Sequence, residues 1–130
     1  MSETNKNVVI TKTARAKLVR ARAGDITLPI ITKMAFGDGG VNAQGEVIAP
    51  SENQLALTHE IFRKNVSGHT FLEDATVRYV CTLDFNECVG KEISEVALVD
   101  ADGDVVAIKT FTRKGKDDDV EQTYKMDDIF

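Results

Sequence analysis

From Ala75 to Phe85 the apolar residues Ala75, Val77, Tyr79, Cys81, Leu83 and Phe85 stand at every second position, with Thr76, Arg78, Thr82 and Asp84 between them. A repeat of two puts successive side chains on opposite sides of a pleated strand, and no α-helix can gather such a set onto one face. This stretch therefore demands a sheet with one buried face. Its neighbours agree. Glu92 to Val99 and Asp104 to Thr112 are apolar runs of strand length, and Asp100-Ala101-Asp102-Gly103 between them carries the Asp-Gly pair that tight hairpins prefer. Glu60 to Val66 reads as a further strand ending in a Ser67-Gly68 turn. The second half is thus predicted to be antiparallel sheet. After Arg113 a charged, exposed segment is expected, ordered again from Val120 to Met126.

The first half has a different period. After the short apolar stretch Val8-Val9-Ile10, Thr11 and Thr13 are candidate helix caps. Ala14, Leu18 and Ala21 then fall on one face at spacings of four and three, and Gly24 is placed to end the helix. Arg15, Lys17, Arg20 and Arg22 lie mostly elsewhere, which makes a basic amphipathic helix. Its alanine-rich face suits packing on a sheet better than insertion into a membrane. Pro29 cannot donate to a ladder, so the next strand is expected to begin near Ile30, or to run at an edge, and to reach Phe36. Gly37 to Gly45 is a loop, and Ser51 with Gln54 is a capping-box signal for a short helical turn through Leu57. The expected class is α+β, an N-terminal amphipathic helix packed on a mainly antiparallel β-sheet or small sandwich. A chain of 130 residues fits one domain that buries roughly two-thirds of its unfolded surface. Its core is expected from about residue 8 to 112, followed by an acidic segment from 113 to 130.

Charge narrows the partners. A net charge of −5 opposes nucleic-acid binding, whose affinity comes largely from Lys and Arg neutralising phosphates. No apolar run approaches the roughly 20 residues of a membrane span. No charged leader with an apolar stretch opens the chain, so synthesis in the cytoplasm is expected and a membrane partner is not. Five basic residues and no acid lie between Lys12 and Arg22, whereas Asp117, Asp118, Asp119, Glu121, Asp127 and Asp128 crowd the last fourteen positions. Regions of opposite sign can meet between subunits or with partners, the plainer alternative being solvated surface.

Residues able to do chemistry form no active-site pattern. Thr32 to Gly40, TKMAFGDGG, ends a strand in glycine, yet neither a GKS or GKT ending nor GxGxxG spacing follows. Its glycines are expected to supply positive φ at a turn. Asp100 to Asp104 resembles a calcium loop until the register is tried: with Gly103 at the sixth position, the first ligand falls on Leu98 and the bidentate acid on Lys109. His59 and His69 lie ten apart without partners at zinc-finger spacing. Cys81 and Cys88 lack CxxC spacing and read as reduced thiols, Cys81 in the core where a thiolate is disfavoured. No catalytic, cofactor-binding or metal-binding residue is assigned, and no enzyme is expected.

The order of the pieces is more specific than any one of them. A basic helix, then ITKMAFGDGG, then PSENQLALTHEIFRKNV, then EISEVALVDADGDVVAIKTF resembles the N-terminal, baseplate-attachment domain of the phage tail-collar fibre proteins, the tail fibres of contractile-tailed phages and related prophage particles. The matching positions are Thr32 to Gly39; Pro50, Gln54, Leu55, Glu60, Phe62 and Arg63; and Glu95, Ala97, Leu98, Asp100, Gly103, Val105 and Ala107. Phe62 stands where the family usually shows tyrosine, and Ala97 where it shows glycine. The likeness covers about Val8 to Phe111. It implies a structural component of a phage or prophage-derived tail, a collar, baseplate or fibre-attachment module acting through protein–protein contacts. Its partners would be other tail, baseplate or fibre proteins and further copies of itself, in a three-fold or six-fold assembly. It would be synthesised and assembled in the bacterial host cytoplasm and reside in the virion tail. Family members usually continue into a shaft and receptor-binding tip, so host-receptor recognition is not carried over to a chain ending at Phe130.

The candidate interface combines Arg15, Arg20 and Arg22 of the helix, the corner Gly37, Asp38, Gly39 and Gly40, and the acidic Asp117, Asp118 and Asp119. The alternative function is a small β-rich domain that binds a carbohydrate or a cation through Asp38, Asp100 and Asp102. Without tryptophan, it has only Tyr79 and Tyr124 as tyrosines to stack on a sugar.

Overall fold

The period-two stretch becomes the middle strand of the smaller of two sheets. In a computed structural model, which describes residues 7–129, Thr76–Leu83 (β5) pairs antiparallel with Gly68–Glu73 (β4) on one side and Gln122–Ile129 (β8) on the other. The first six residues, where no leader is expected, and Phe130 lie outside the described residues. A five-stranded antiparallel sheet runs in the order Val8–Ile10 (β1), Val105–Gly115 (β7), Glu92–Asp100 (β6), Ile31–Gly37 (β2) and Glu60–Asn65 (β3).

Both faces of the larger sheet are covered, so its central strand β6 is buried from Ile93 to Asp100 without alternation. Met34, Phe36, Val96 and Leu98 pack against Cys81, Leu83, Tyr124 and Met126 of the smaller sheet. The Phe36 and Tyr124 rings meet edge to face at 5.2 Å between centroids. On the opposite face Ala35, Ala97, Val99 and Ile108 are covered by Leu57, from the long connection between β2 and β3. The cross-strand pairs Met34 with Leu98, Ala35 with Ala97 and Phe36 with Val96 hold the two faces in register.

The α+β expectation is incorrect. The molecule is mainly β, two antiparallel sheets with one short helix, Lys12–Arg22 (α1). No residue of α1 is buried. Its apolar positions are mostly alanine and carry little area to remove from water, whereas the large side chains sit on strands and bury one another. Thr11 is the cap: its Oγ1 accepts from the Ala14 N–H at 3.1 Å and donates to the Val105 carbonyl at 2.9 Å, stapling the helix start to β7. Gly24, at φ 85°, follows the helix end.

Three local expectations also change. Gln54 Oε1 does accept from the Ser51 N–H at 2.8 Å, but only turns follow as far as Thr58, because one capped turn does not offset the cost of helix nucleation. Ser67-Gly68 is the crossing from the larger sheet to the smaller. It leads into β4, whose residues from His69 to Glu73 are exposed on both faces and so leave no hydrophobic period in the sequence. Beyond Arg113, β7 continues to Gly115 where an exposed segment is expected, while the ordering expected from Val120 to Met126 is met by β8, which buries Tyr124 and Met126.

Candidate functional site

Glu95 lies in the middle of β6 with no exposed surface. Its Oε2 accepts from the N–H groups of Gly39 at 2.9 Å and His59 at 2.8 Å, and its Oε1 from that of Thr58 at 2.9 Å. The backbone thus replaces the donors that water supplied, which is what makes a buried carboxyl tolerable. One side chain thereby ties three segments together: β6, the glycine corner after β2 and the approach to β3. Next to it the Ser94 Oγ accepts from the Gly40 N–H at 2.9 Å, and the Asp38 N–H donates to the His59 carbonyl at 3.1 Å.

The glycines of the corner are required for close approach. A Cβ on Gly37 would stand 2.5 Å from Glu95 Oε2 and from the His59 carbonyl oxygen, and one on Gly40 would stand 2.0 Å from the Ser94 carbonyl oxygen. None of Gly37, Gly39 or Gly40 is among the residues with positive φ, so the expectation that they supply it is incorrect. At the tip of the corner Asp38 and His59 are exposed and pair through Oδ1 and Nδ1. His69 belongs elsewhere: it sits on β4 beside Tyr79 and Phe71. The two histidines are not brought together.

Arg15 pairs with Glu52 at 2.7 Å on the surface, while Arg20 and Arg22 are exposed in the last turn of α1, where cations complement the helix dipole. Asp117, Asp118 and Asp119 are exposed on the connection between β7 and β8. That connection starts from buried Lys116, whose Nζ donates to the carbonyls of Asp117 at 2.8 Å and Phe85 at 3.2 Å. Among the described residues no hydrogen bond or ion pair joins the helix arginines, the glycine corner and the acidic loop.

The Asp100 to Asp104 hairpin is closed by Asp100 Oδ1, which accepts from the N–H groups of Asp102 and Asp104, with Gly103 at φ 87°. Its three carboxylates surround the ammonium of Lys17, at 2.7 Å from Asp100, 3.1 Å from Asp102 and 2.7 Å from Asp104. Burial alone lowers the Lys17 pKa, but the bonds to Asp100, Asp104 and Asp102 outweigh it and the pKa is raised. Cys81 is buried, and that burial pushes its thiol up to about 11, so it stays protonated and unreactive near neutral pH.

Sequence reasoning had placed Glu95 in a motif and missed its role. The available signal was a glutamate inside the otherwise uncharged run Ile93 to Val99, where any carboxyl must find internal donors.

The family model for phage tail-collar fibre protein, N-terminal, matches residues 1–127. The chain belongs to the phage tail-collar fibre protein family. No curated protein and no solved structure matches it. A tail-collar fibre protein is a structural part of the phage tail, which makes other tail proteins its neighbours. The positions that carried the likeness converge in space. Gly37 and Gly39 from the first motif, the segment around Glu60 from the second and Glu95 from the third meet at one buried carboxyl. Among the described residues no helix of this tail-collar fibre domain is long and apolar enough to cross a membrane.

Proposed function

We propose that this domain attaches a fibre to the collar or baseplate of a phage tail by protein–protein contact and without catalysis. The observation that carries the reading is the convergence at Glu95: three motifs are used to hold a backbone corner rigid and present Asp38 and His59 at its tip. A corner fixed before docking loses little conformational entropy on binding. The chain acts as one unit from residue 1 to 130, assembled in the host cytoplasm. The arginines of α1, the glycine corner and Asp117 to Asp119 are three separate patches suited to different neighbours. The opposite charge of the first and last suits contact between copies in a homo-oligomer of three-fold or six-fold symmetry. Neither nucleic acid nor membrane is a partner in this reading.

The cation or carbohydrate alternative has less support. Lys17 already occupies the cluster of Asp100, Asp102 and Asp104, Tyr124 is buried and Tyr79 half-buried. The test is incorporation into particles assembled from a complete set of tail genes. Asp38→Lys combined with His59→Glu should fold but be lost from purified tails; retention at the wild-type level would overturn the corner as a contact. Light scattering over a concentration series should give a discrete trimer or hexamer indifferent to calcium. Calcium-driven association would favour the cation binder instead.

A further inference from the structure

The inward face of the smaller sheet extends past the core it covers. The pairing of β4, β5 and β8 puts His69, Tyr79 and Met126 in one row and Phe71, Val77 and Asp128 in the next. Met126 is buried, whereas Phe71 keeps 69% of its surface exposed. Beside these rows, between β5, β8, α1 and the connection from α1 to β2, lies a groove of about 410 Å³. Leu18, Leu28, Ile30 and Tyr79 form apolar walls, and Ile30 is 71% exposed. Lys17 and Asp100 also line it but satisfy each other. Asp128 does not have such a partner. Among the described residues its carboxylate makes no hydrogen bond or ion pair, while Asp127 beside it faces the other way and pairs with Arg78 at 2.8 Å. Loss of solvent holds the Asp128 carboxyl above the usual carboxylate range.

We propose that this groove receives an extended segment of another tail protein, which lays apolar side chains against Leu28, Ile30 and Tyr79 and sets a Lys or Arg against Asp128. Charge complementarity chooses the occupant. A purely apolar segment would cover the carboxylate without pairing it, and an acidic one would add repulsion, both unfavourable in a site shielded from water. A basic residue between apolar ones satisfies the walls and the carboxylate together. The inference deepens the attachment reading and rests on it for the class of partner, but it uses none of the residues of the glycine corner.

The experiment is a nuclear magnetic resonance titration of the full chain with a short acetylated peptide of alternating leucine and arginine, beside its leucine–glutamine and leucine–glutamate counterparts. The arginine peptide should bind saturably, with shifts concentrated at Leu28, Ile30, Tyr79 and Asp128. Asp128→Asn should weaken it about tenfold, equivalent to about 1.4 kcal/mol, and leave the glutamine peptide unchanged. Asp119→Asn, which removes a surface charge outside the groove, should have no effect. Ile30→Asp should abolish binding while the chain still melts cooperatively. Equal binding of the arginine and glutamate peptides, indifference to Asp128→Asn, or shifts elsewhere would each overturn the proposal. Self-association removed by Ile30→Asp would give the groove to a second copy and overturn the partner assignment. Incorporation of the Asp38 and His59 variant is a separate readout, so attachment can fail while the groove still binds, and the reverse.

Discussion

A glutamate with no exposed surface ordinarily weakens a fold, and Glu95 strengthens this one because three backbone donors point at it. Glu95→Ala orphans all three and should cost about 3 kcal/mol or more, read as a lower urea midpoint at unchanged slope. Glu95→Gln keeps the shape but turns an NH2 toward an N–H donor, and should cost about 1–3 kcal/mol. Gly40→Ala drives a methyl into the Ser94 carbonyl and should cost about 1–3 kcal/mol, whereas Gly68→Ala, with nothing within 4 Å, should be close to neutral. Asp128 gives a prediction with a pH sign. Burial raises its folded pKa above the unfolded value, so folding favours the protonated form. Below the unfolded pKa both states are protonated and no penalty exists; it grows as pH rises and is complete above the folded pKa. Asp128→Asn should therefore raise the melting temperature at neutral pH and lose that advantage in acid. The groups sharing the groove are Lys17 and Asp100, which pair, with His69 and Tyr79, whose phenol is raised by burial and then by Asp128. An unchanged difference in melting temperature from neutral to acid pH would contradict the assignment.

At the scale of elements, α1 is held by its ends and one polar anchor more than by its face. Thr11 caps it and bonds the Val105 carbonyl, so Thr11→Ala should cost about 1–2 kcal/mol. Lys17 ties the helix to the hairpin between β6 and β7. Lys17→Ala leaves Asp100, whose side chain is 2% exposed, without its cation, and a loss of about 2 kcal/mol is expected, below that of a fully buried pair because Asp102 and Asp104 remain in water. The same variant empties the middle of three carboxylates. Its melting temperature should rise with calcium while that of the wild type does not, since a ligand that binds only the folded state stabilises it. Thermal melts in calcium and in chelator decide this; equal responses of the two proteins would show that Lys17 does not occupy the cluster in solution.

For the whole molecule, the main core is shared: Phe36 and Leu98 from the larger sheet and Leu83, Tyr124 and Met126 from the smaller belong to one cluster. Each sheet loses the face it buries in this cluster when the other is removed. Unfolding should therefore be a single transition, with backbone and aromatic circular dichroism coinciding. Tyr124→Ala should lower stability by about 3–5 kcal/mol and both signals together. Two separated transitions would mean that the sheets are independent. The acidic loop is the complement of this: it carries Asp117 to Asp119 outside the core, so their replacement by asparagine should leave the melt within about 0.5 kcal/mol and affect only assembly.

The sequence by itself determined the features settled between near neighbours: β5 from its period of two, the β6–β7 hairpin from Asp100 to Gly103, and α1 from its spacing, the Thr11 cap and Gly24. It also carried the family likeness, a matter of order and spacing along the chain. Tertiary structure alone decided the fold class, because a hydrophobic pattern marks a face without saying which face it meets, and the strand faces met each other while the alanine face of α1 stayed at the rim. It decided β4, which has no buried face and exists through its pairing with β5. It also decided the site. Glu95 lies 56 residues from Gly39, 37 from Thr58 and 36 from His59, and a buried carboxyl acquires backbone donors from such distances only when the whole chain has folded around it.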